Sequence, residues 1–344
     1  MKALVYHGPG RHSWEDVPDP QLREPEDAIV RVDAVTICGT DLHILKGDVP
    51  EVSPGRILGH EAVGTVEQVG SAVRTIRPGD RVLVSCISPC GRCRYCRTGS
   101  YGQCLGGGGW ILGHLVDGTQ ACEPRSPRPR CTRCPIRSAT RPRSCSRTSC
   151  PPSYEVGVLN GHVGPGDTVV VVGAGPIGLA AIKTARLFSP AHIIAVDQAK
   201  SRLDAALDFG ADVSISVADT PVDSVRELTG GLGADVVIEA VGVPETFELC
   251  TELVRPGGHV ANIGVHGKPA TLHLESLWSK NVTITTGLVD TYSTPTLLAM
   301  LAARQITTTD FVTHRFGIEE MLEAYDVFAQ AGDTGALKVA LFRT

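Results

Sequence analysis

The chain has 344 residues, 42% hydrophobic and 20% charged, with a formal net charge of −5. That length suits two domains with separate cores, the composition is that of an ordinary globular protein, and the acidic balance argues against nucleic acid as the main partner. No apolar N-terminal stretch follows a basic leader and no run of about 18 apolar residues occurs, so neither a signal peptide nor a membrane span is expected, and the cytoplasm is the default location.

Residues 1–121 read as short β-rich runs separated by Gly and Pro turns, and the runs at 28–35, 62–69 and 81–84 fit a small antiparallel β domain. Within it, Cys38 is followed twenty-two residues later by His60-Glu61, inside the stretch Gly59–Gly70. A thiolate, an imidazole and a carboxylate form a three-donor set that leaves zinc one open position, the arrangement of a catalytic rather than a structural site. Further on come Cys90, Cys93, Cys96 and Cys104, at C-x2-C-x2-C-x7-C spacing. Four thiolates close a tetrahedron around zinc and hold a loop together, and in a reducing compartment clustered cysteines are read as metal ligands before disulfides. An iron–sulfur cluster also accepts four thiolates, but the chain has no second cysteine group of this kind and carries the dinucleotide fingerprint described below, which disfavour that reading. Cys86 and Cys250 belong to no ligand spacing and read as buried small hydrophobes.

From Cys122 to Pro152 the composition breaks. These 31 residues include 8 Arg, 7 Pro, 5 Ser and 5 Cys, with Ile136 the sole large aliphatic. The segment carries +7 and leaves the rest of the chain near −12, and no core can be built from it.

The second half changes rhythm. Predicted strands at 168–172, 193–196, 213–217 and 235–240 alternate with helical stretches at 177–187 and 201–209, the pattern of a parallel sheet with crossover helices. The first of these strands runs into Gly173-Ala174-Gly175-Pro176-Ile177-Gly178, a G-x-G-x-x-G match where a strand becomes a helix. Its glycines allow a tight turn and close approach of a pyrophosphate, which the helix N-terminus stabilises through free N–H groups. A second strand ends at Asp197, nineteen residues beyond Gly178. A carboxylate there accepts hydrogen bonds from ribose hydroxyls and repels a 2′-phosphate, which favours NAD over NADP.

These four motifs, in this order, resemble the zinc-dependent medium-chain alcohol dehydrogenases over nearly the whole chain outside the Arg/Pro window. The resemblance implies an α/β protein: a GroES-like antiparallel β domain over residues 1–152 with a structural zinc lobe at 86–105, a doubly wound Rossmann domain that binds NAD over 153–290, and a segment, 291–344, returning to the catalytic domain. It implies two zinc ions per chain, catalytic and structural, a small-molecule alcohol as substrate, and a homodimer or homotetramer. Thr40 then supplies the hydroxyl that takes the alcohol proton, and His43 the outward end of a relay through the cofactor ribose. Asp41 orients His60 from behind the metal. Glu61 lies beside the metal and binds it transiently, Cys86 and Trp110 line the substrate pocket, and Arg202 and Lys338 contact the cofactor's ribose and pyrophosphate.

The family takes a further zinc ligand, an aspartate, from a segment just before a turn like Ser153-Tyr154-Glu155, which places it inside the Arg/Pro window. Reading from the third base of each codon, residues 129–136 and 142–152 permit the family's missing sequence, with the frame restored at Ser153 and the length unchanged. The window 122–152 is therefore read as an out-of-frame translation, either a sequencing error or compensating indels. The aspartate falls across Arg147 and Thr148, which leaves the literal chain impaired in folding and in holding its second zinc. The competing reading is a genuine basic insert with Cys131 and Cys134 as half a metal site. Three functions stay open: an NAD-dependent zinc alcohol dehydrogenase acting on primary alcohols, secondary alcohols or polyols, a zinc-free quinone or enoyl reductase of the same superfamily, and an inactive NAD-binding protein.

Overall fold

A computed structural model of the chain describes residues 1–122, 125–127 and 150–343. Most of the window read as out of frame, including Cys131, Cys134 and Arg147, lies outside the described residues. The chain divides into two compact units, one of Met1–Thr148, Asp290–Leu298 and Thr307–Thr344, the other of Ser149–Val289 and Ala299–Ile306.

The first unit opens with β1 (Lys2–Tyr6), β2 (His12–Asp16), β3 (Ala28–Thr36), β4 (Arg56–Ile57), β5 (Ala62–Val69), β6 (Arg81–Val84), β7 (Ile87–Ser88), β8 (Gly109–Trp110), β9 (Ala121–Cys122) and β10 (Arg125–Pro127). The second unit supplies β11 (Thr168–Val172), β12 (His192–Asp197), β13 (Val213–Ser216), β14 (Ala234–Glu239), β15 (Val254–Asn262) and β16 (Thr283–Thr286). The chain then returns to the first unit with β17 (Val312–Gly317) and β18 (Lys338–Phe342).

In the first unit β3 pairs antiparallel with β5, β5 with β6 and β3 with β18, so that Val35 stands opposite both Ala62 and Leu341. The expected antiparallel domain is present and includes one parallel pair, β17 with β18. Two parallel strands require a crossover, and the helix Met321–Ala329 provides it. That helix buries Met321, Ala324, Tyr325 and Phe328 against Val30, Val32, Ile37, Ile44 and Leu341, forming the main core of the unit.

The second unit is a six-stranded parallel sheet in the order β13-β12-β11-β14-β15-β16, the doubly wound dinucleotide-binding arrangement. Helices cover both faces of such a sheet, so its central strands read as continuous apolar runs. Val169 to Val172 are all fully buried, at about 1.5–3 kcal/mol of hydrophobic stabilisation per side chain. Ser153, expected at the start of a turn, instead begins a π-helical stretch, Ser153–Leu159. Among the described residues no helix is long and apolar enough to cross a membrane.

Candidate active site

Strand β3 ends at Thr36, and two residues later Cys38 caps the helix Gly39–Lys46. The Cys38 N–H donates to Asp41 Oδ2 at 2.9 Å, which satisfies one of the free donors at the helix start and holds the sulfur at the rim of the sheet. His60 and Glu61 directly precede β5, the strand paired with β3. Register therefore brings the three donors together: Cys38 Sγ, a ring nitrogen of His60 and a carboxylate oxygen of Glu61 all lie within 4.8 Å of one another, and all three residues are buried. His60 Nδ1 stands 3.3 Å from Asp41 Oδ1, close enough for charge pairing but without hydrogen-bond alignment. With Nδ1 turned toward a carboxylate, Nε2 is the nitrogen left for a metal. Burial alone would lower the His60 pKa, but Asp41 and the Cys38 sulfur outweigh it and hold the imidazole well above its ordinary value. A buried thiol, imidazole and carboxylate converging in this way fit zinc.

Glu61 has a partner that the sequence did not announce. The expectation for Lys338 is a cofactor contact; the structure sets its ammonium 2.6 Å from Glu61 Oε2, with the lysine side chain 1% and the glutamate 4% exposed. The Thr36 hydroxyl donates to the same oxygen. Burial pushes the Glu61 carboxyl up, yet Lys338, with help from His60 and Thr36, holds it below the ordinary value. Burial likewise lowers Lys338, and Glu61 and Cys38 more than restore it. Both shifts describe an ionised pair, which leaves Oε1 as the oxygen free to face a metal.

Thr40 lies in the first turn of the same helix, its Oγ1 3.7 Å from Cys38 Sγ. His43, one turn on, donates from Nδ1 to Asp48 Oδ2 at 2.8 Å, so Nε2 is its free acceptor. Half-buried Trp110 meets the His60 ring edge-on, with centroids 6.1 Å apart, and stacks on His114 at 4.3 Å. Burial pushes the Cys86 thiol up to about 11, so it stays protonated, and Cys250 is fully buried.

The four cysteines at 90, 93, 96 and 104 also bring their sulfurs together within 4.8 Å. Strands β7 and β8 pair at the base of this lobe, Ser88 opposite Gly109, and pinch it off from the sheet. Backbone N–H groups point at the sulfurs: Cys96 and Leu105 donate to Cys93 Sγ, Cys90 and Gly106 to Cys104 Sγ. Those amide bonds pull the Cys93 thiol down to about 6, whereas burial pushes Cys96 up to about 12. A closed set of four sulfurs, with no fifth donor grouped with them among the described residues, suits a structural zinc.

In the second unit Gly175 caps the helix Pro176–Ala185, with Pro176 in its first turn. A Cβ at Gly178 would stand 1.8 Å from Gly173 O, so only glycine lets the helix pack on the loop. A Cβ at Gly175 would meet nothing within 4 Å among the described residues, leaving the loop face open where a phosphate approaches a helix N-terminus. Asp197 ends β12 and ties that loop down, accepting from Ala174 N at 2.7 Å and Ala199 N at 2.9 Å. Ile177 O accepts from the Ser153 hydroxyl. Arg202, in the first turn of the helix Lys200–Asp208, is half-buried, and its Nε lacks a hydrogen-bond partner among the described residues. An open glycine face, a helix N-terminus and an adjacent carboxylate fit a dinucleotide.

Sequence reading missed Thr36, Asp48, Gln120 and Tyr325. Each is an ordinary polar residue in an unremarkable stretch; the fold brings Thr36, Gln120 and Tyr325 to named site residues, whereas Asp48 meets His43 from five residues on. Gln120 Nε2 donates to Asp41 Oδ2 at 3.1 Å, and Tyr325 OH donates to Gln120 Oε1 at 2.8 Å.

Residues 24–136 match the alcohol dehydrogenase GroES-like domain family and residues 176–303 the zinc-binding dehydrogenase family. An alcohol dehydrogenase of Cupriavidus necator is 36% identical over 99% of this chain and 98% of its own length. Human sorbitol dehydrogenase is 30% identical over 95% and 92%. Among solved structures, zinc-dependent alcohol dehydrogenase 2 from Streptococcus pneumoniae, in its apo form, superposes with a TM-score of 0.92 at 44% identity, covering 100% of this chain and 98% of that one. The alcohol dehydrogenase of Thermus sp. ATN1 gives 0.90 at 35% identity, covering both chains completely. Fold and donor sets together define an oxidoreductase with a GroES-like domain and a nucleotide-binding domain. The chain belongs to the zinc-dependent medium-chain alcohol dehydrogenase family.

Proposed function

We propose that this protein oxidises a primary or secondary alcohol to an aldehyde or ketone, with NAD as hydride acceptor and one catalytic and one structural zinc per chain. The observation that carries the reading is the buried convergence of Cys38, His60 and Glu61 with Thr40 beside the sulfur. When bound, zinc supplies Lewis acidity toward an alcohol oxygen and NAD accepts the hydride. Cys38 and His60 are the residues that hold the catalytic metal, with Glu61 as an intermittent third donor. Thr40 Oγ1 takes the proton that the alcohol hydroxyl gives up. His43 Nε2, left free by the Nδ1 bond to Asp48, stands at the outward end of the proton path. Cys90, Cys93, Cys96 and Cys104 hold the structural ion.

The glycine loop from Gly173 to Gly178 receives the pyrophosphate, and Asp197 receives the adenosine ribose. Asp197 supports NAD because its carboxylate already occupies the space beside Ala174 and Ala199 and repels a further anion. The protein acts as a homodimer or homotetramer in the cytoplasm on a small-molecule alcohol. The test is NADH formation from a panel of primary, secondary and polyhydric alcohols, abolished by a chelator and restored by zinc. Turnover that survives complete removal of zinc would favour the zinc-free reductase reading, and NAD binding with no turnover on any alcohol would favour the inactive one.

A further inference from the structure

Behind His60 runs a chain of buried polar groups drawn from distant parts of the sequence. Asp41 and Gln120 are fully buried and Tyr325 is 2% exposed. Both Asp41 oxygens are committed: Oδ2 accepts from Cys38 N and Gln120 Nε2, and Oδ1 faces His60 Nδ1 with no other partner among the described residues. The orientation of each link follows from the chemistry of its groups. An ionised carboxylate can only accept, so Gln120 must present its NH2 to Asp41 and therefore its carbonyl oxygen to Tyr325. Burial holds the Tyr325 phenol well above its ordinary pKa, so the group at that oxygen is a donor O–H. The stem of Gln120 is fixed as well. Gly59, at φ +95°, lies against it so closely that a Cβ there would stand 2.5 Å from Gln120 Cγ, so the peptide preceding His60 packs directly on this side chain.

We propose that Gln120 and Tyr325 are positioning residues for the catalytic metal: Tyr325 locks the Gln120 amide, Gln120 locks the Asp41 carboxylate, and Asp41 thereby aims His60. The proposal rests on the reading of Cys38 and His60 as zinc ligands. Partners behind a metal-binding histidine fix its tautomer and ring orientation, and their loss typically costs about 10–100-fold in metal affinity or activity. Tyr325 comes from the crossover helix of the parallel β17–β18 pair, so the C-terminal segment contributes directly to the geometry of a site built from residues 38–61.

The test uses the full zinc-loaded chain and two variants, Gln120→Ala and Tyr325→Phe. Zinc is withdrawn by a competing chromophoric chelator, and the four-cysteine zinc serves as the reference within each molecule. The Cys38–His60 zinc should be held about 10–100-fold more weakly in Gln120→Ala, and more weakly to a smaller degree in Tyr325→Phe, while the four-cysteine zinc stays within about twofold of the wild type. Cobalt substituted at the Cys38–His60 site should show a shifted visible spectrum in both variants, a signature that lost stability alone does not produce. The kcat for alcohol should fall with little change in KM for NAD. Should Gln120→Ala fail to fold, Tyr325→Phe, which removes one oxygen and keeps the ring, decides the matter. Unchanged catalytic-zinc affinity and an unchanged cobalt spectrum in the folded variants would overturn the proposal, as would equal weakening of both zinc ions. A wild-type chain that takes up metal only at the four cysteines would overturn the zinc reading itself, and the proposal with it.

Discussion

Replacing Lys338 with methionine keeps most of the side-chain volume and removes the ammonium. Glu61, 4% exposed in its side chain, then retains only the Thr36 hydroxyl on Oε2. Breaking a buried pair by removing one partner costs about 3–5 kcal/mol, because the remaining charge has almost no water and loses its nearest counter-ion, with His60 left as a positive neighbour. In a domain of this size each kcal/mol moves the unfolding midpoint by about 2–4 °C, so a drop on the order of 10 °C is expected. A two-domain chain need not unfold in one step, so urea and thermal melts should be followed by probes of each unit, and only the first-unit transition should move. The decisive measurement is a double-mutant cycle on zinc-stripped protein. Adding Glu61→Gln to Lys338→Met removes the orphaned charge and should recover most of the loss, giving a coupling energy well above the roughly 0.5 kcal/mol error of such cycles. A Lys338→Met cost below about 1 kcal/mol, or no recovery in the double variant, would refute the assignment of Lys338 to Glu61 as an ionised buried pair.

Other consequences are open to direct measurement. Cys104→Ser should release the lobe zinc and destabilise the first unit, leaving any zinc at Cys38 and His60 in place; metal analysis showing both ions retained would contradict the four-cysteine assignment. On the proposed NAD reading, Asp197→Asn weakens a charge-assisted contact to a ribose hydroxyl worth about 1.5–3 kcal/mol, so the dissociation constant for NAD should rise about 10–100-fold, and an unchanged constant would remove Asp197 from the nucleotide site. Asp212 accepts from Ile193 N and pairs with Arg186; although burial opposes it, these contacts hold its carboxyl below the ordinary value. Its stabilisation is therefore present above the unfolded carboxylate pKa of about 4 and lost as pH falls through the depressed one. Asp212→Asn should flatten the acid limb of second-unit unfolding, and an unaltered limb would argue against that role. Resequencing the nucleotides for residues 122–152 tests the out-of-frame reading: codons that do not spell the missing family segment in the shifted frame would end it.

Much of the site was legible because its chemistry is carried by short-range spacing. The run Cys90 to Cys104 sits on one pinched loop, and the glycines from Gly173 to Gly178 sit on one strand-to-helix turn, so sequence distance and spatial distance agree. The strands at 62–69 and 81–84 emerged with the expected bounds, because short β-rich runs between Gly and Pro turns are a local property of the sequence. Lys338 was harder to read. A lysine on a C-terminal strand carries no mark of a partner 277 positions earlier, and only the antiparallel pairing of β18 with β3 brings it to Glu61. The parallel pairing of β17 with β18 was hidden for a similar reason, since strand direction depends on the crossover helix rather than on composition.

Residue type and spacing alone determined which groups could do chemistry: soft and borderline donors at Cys38, His60 and Glu61, four thiols that can close on one ion, and a glycine turn shaped for a phosphate. Those properties belong to the side chains and to stretches a few residues long. The tertiary structure decided how each group is held, placing Lys338 on Glu61, Asp48 on His43, and Gln120 with Tyr325 behind Asp41. Apart from the local His43–Asp48 bond, such contacts join segments scores to hundreds of residues apart, and they hold because a buried charge or amide must find a partner wherever the folded chain supplies one.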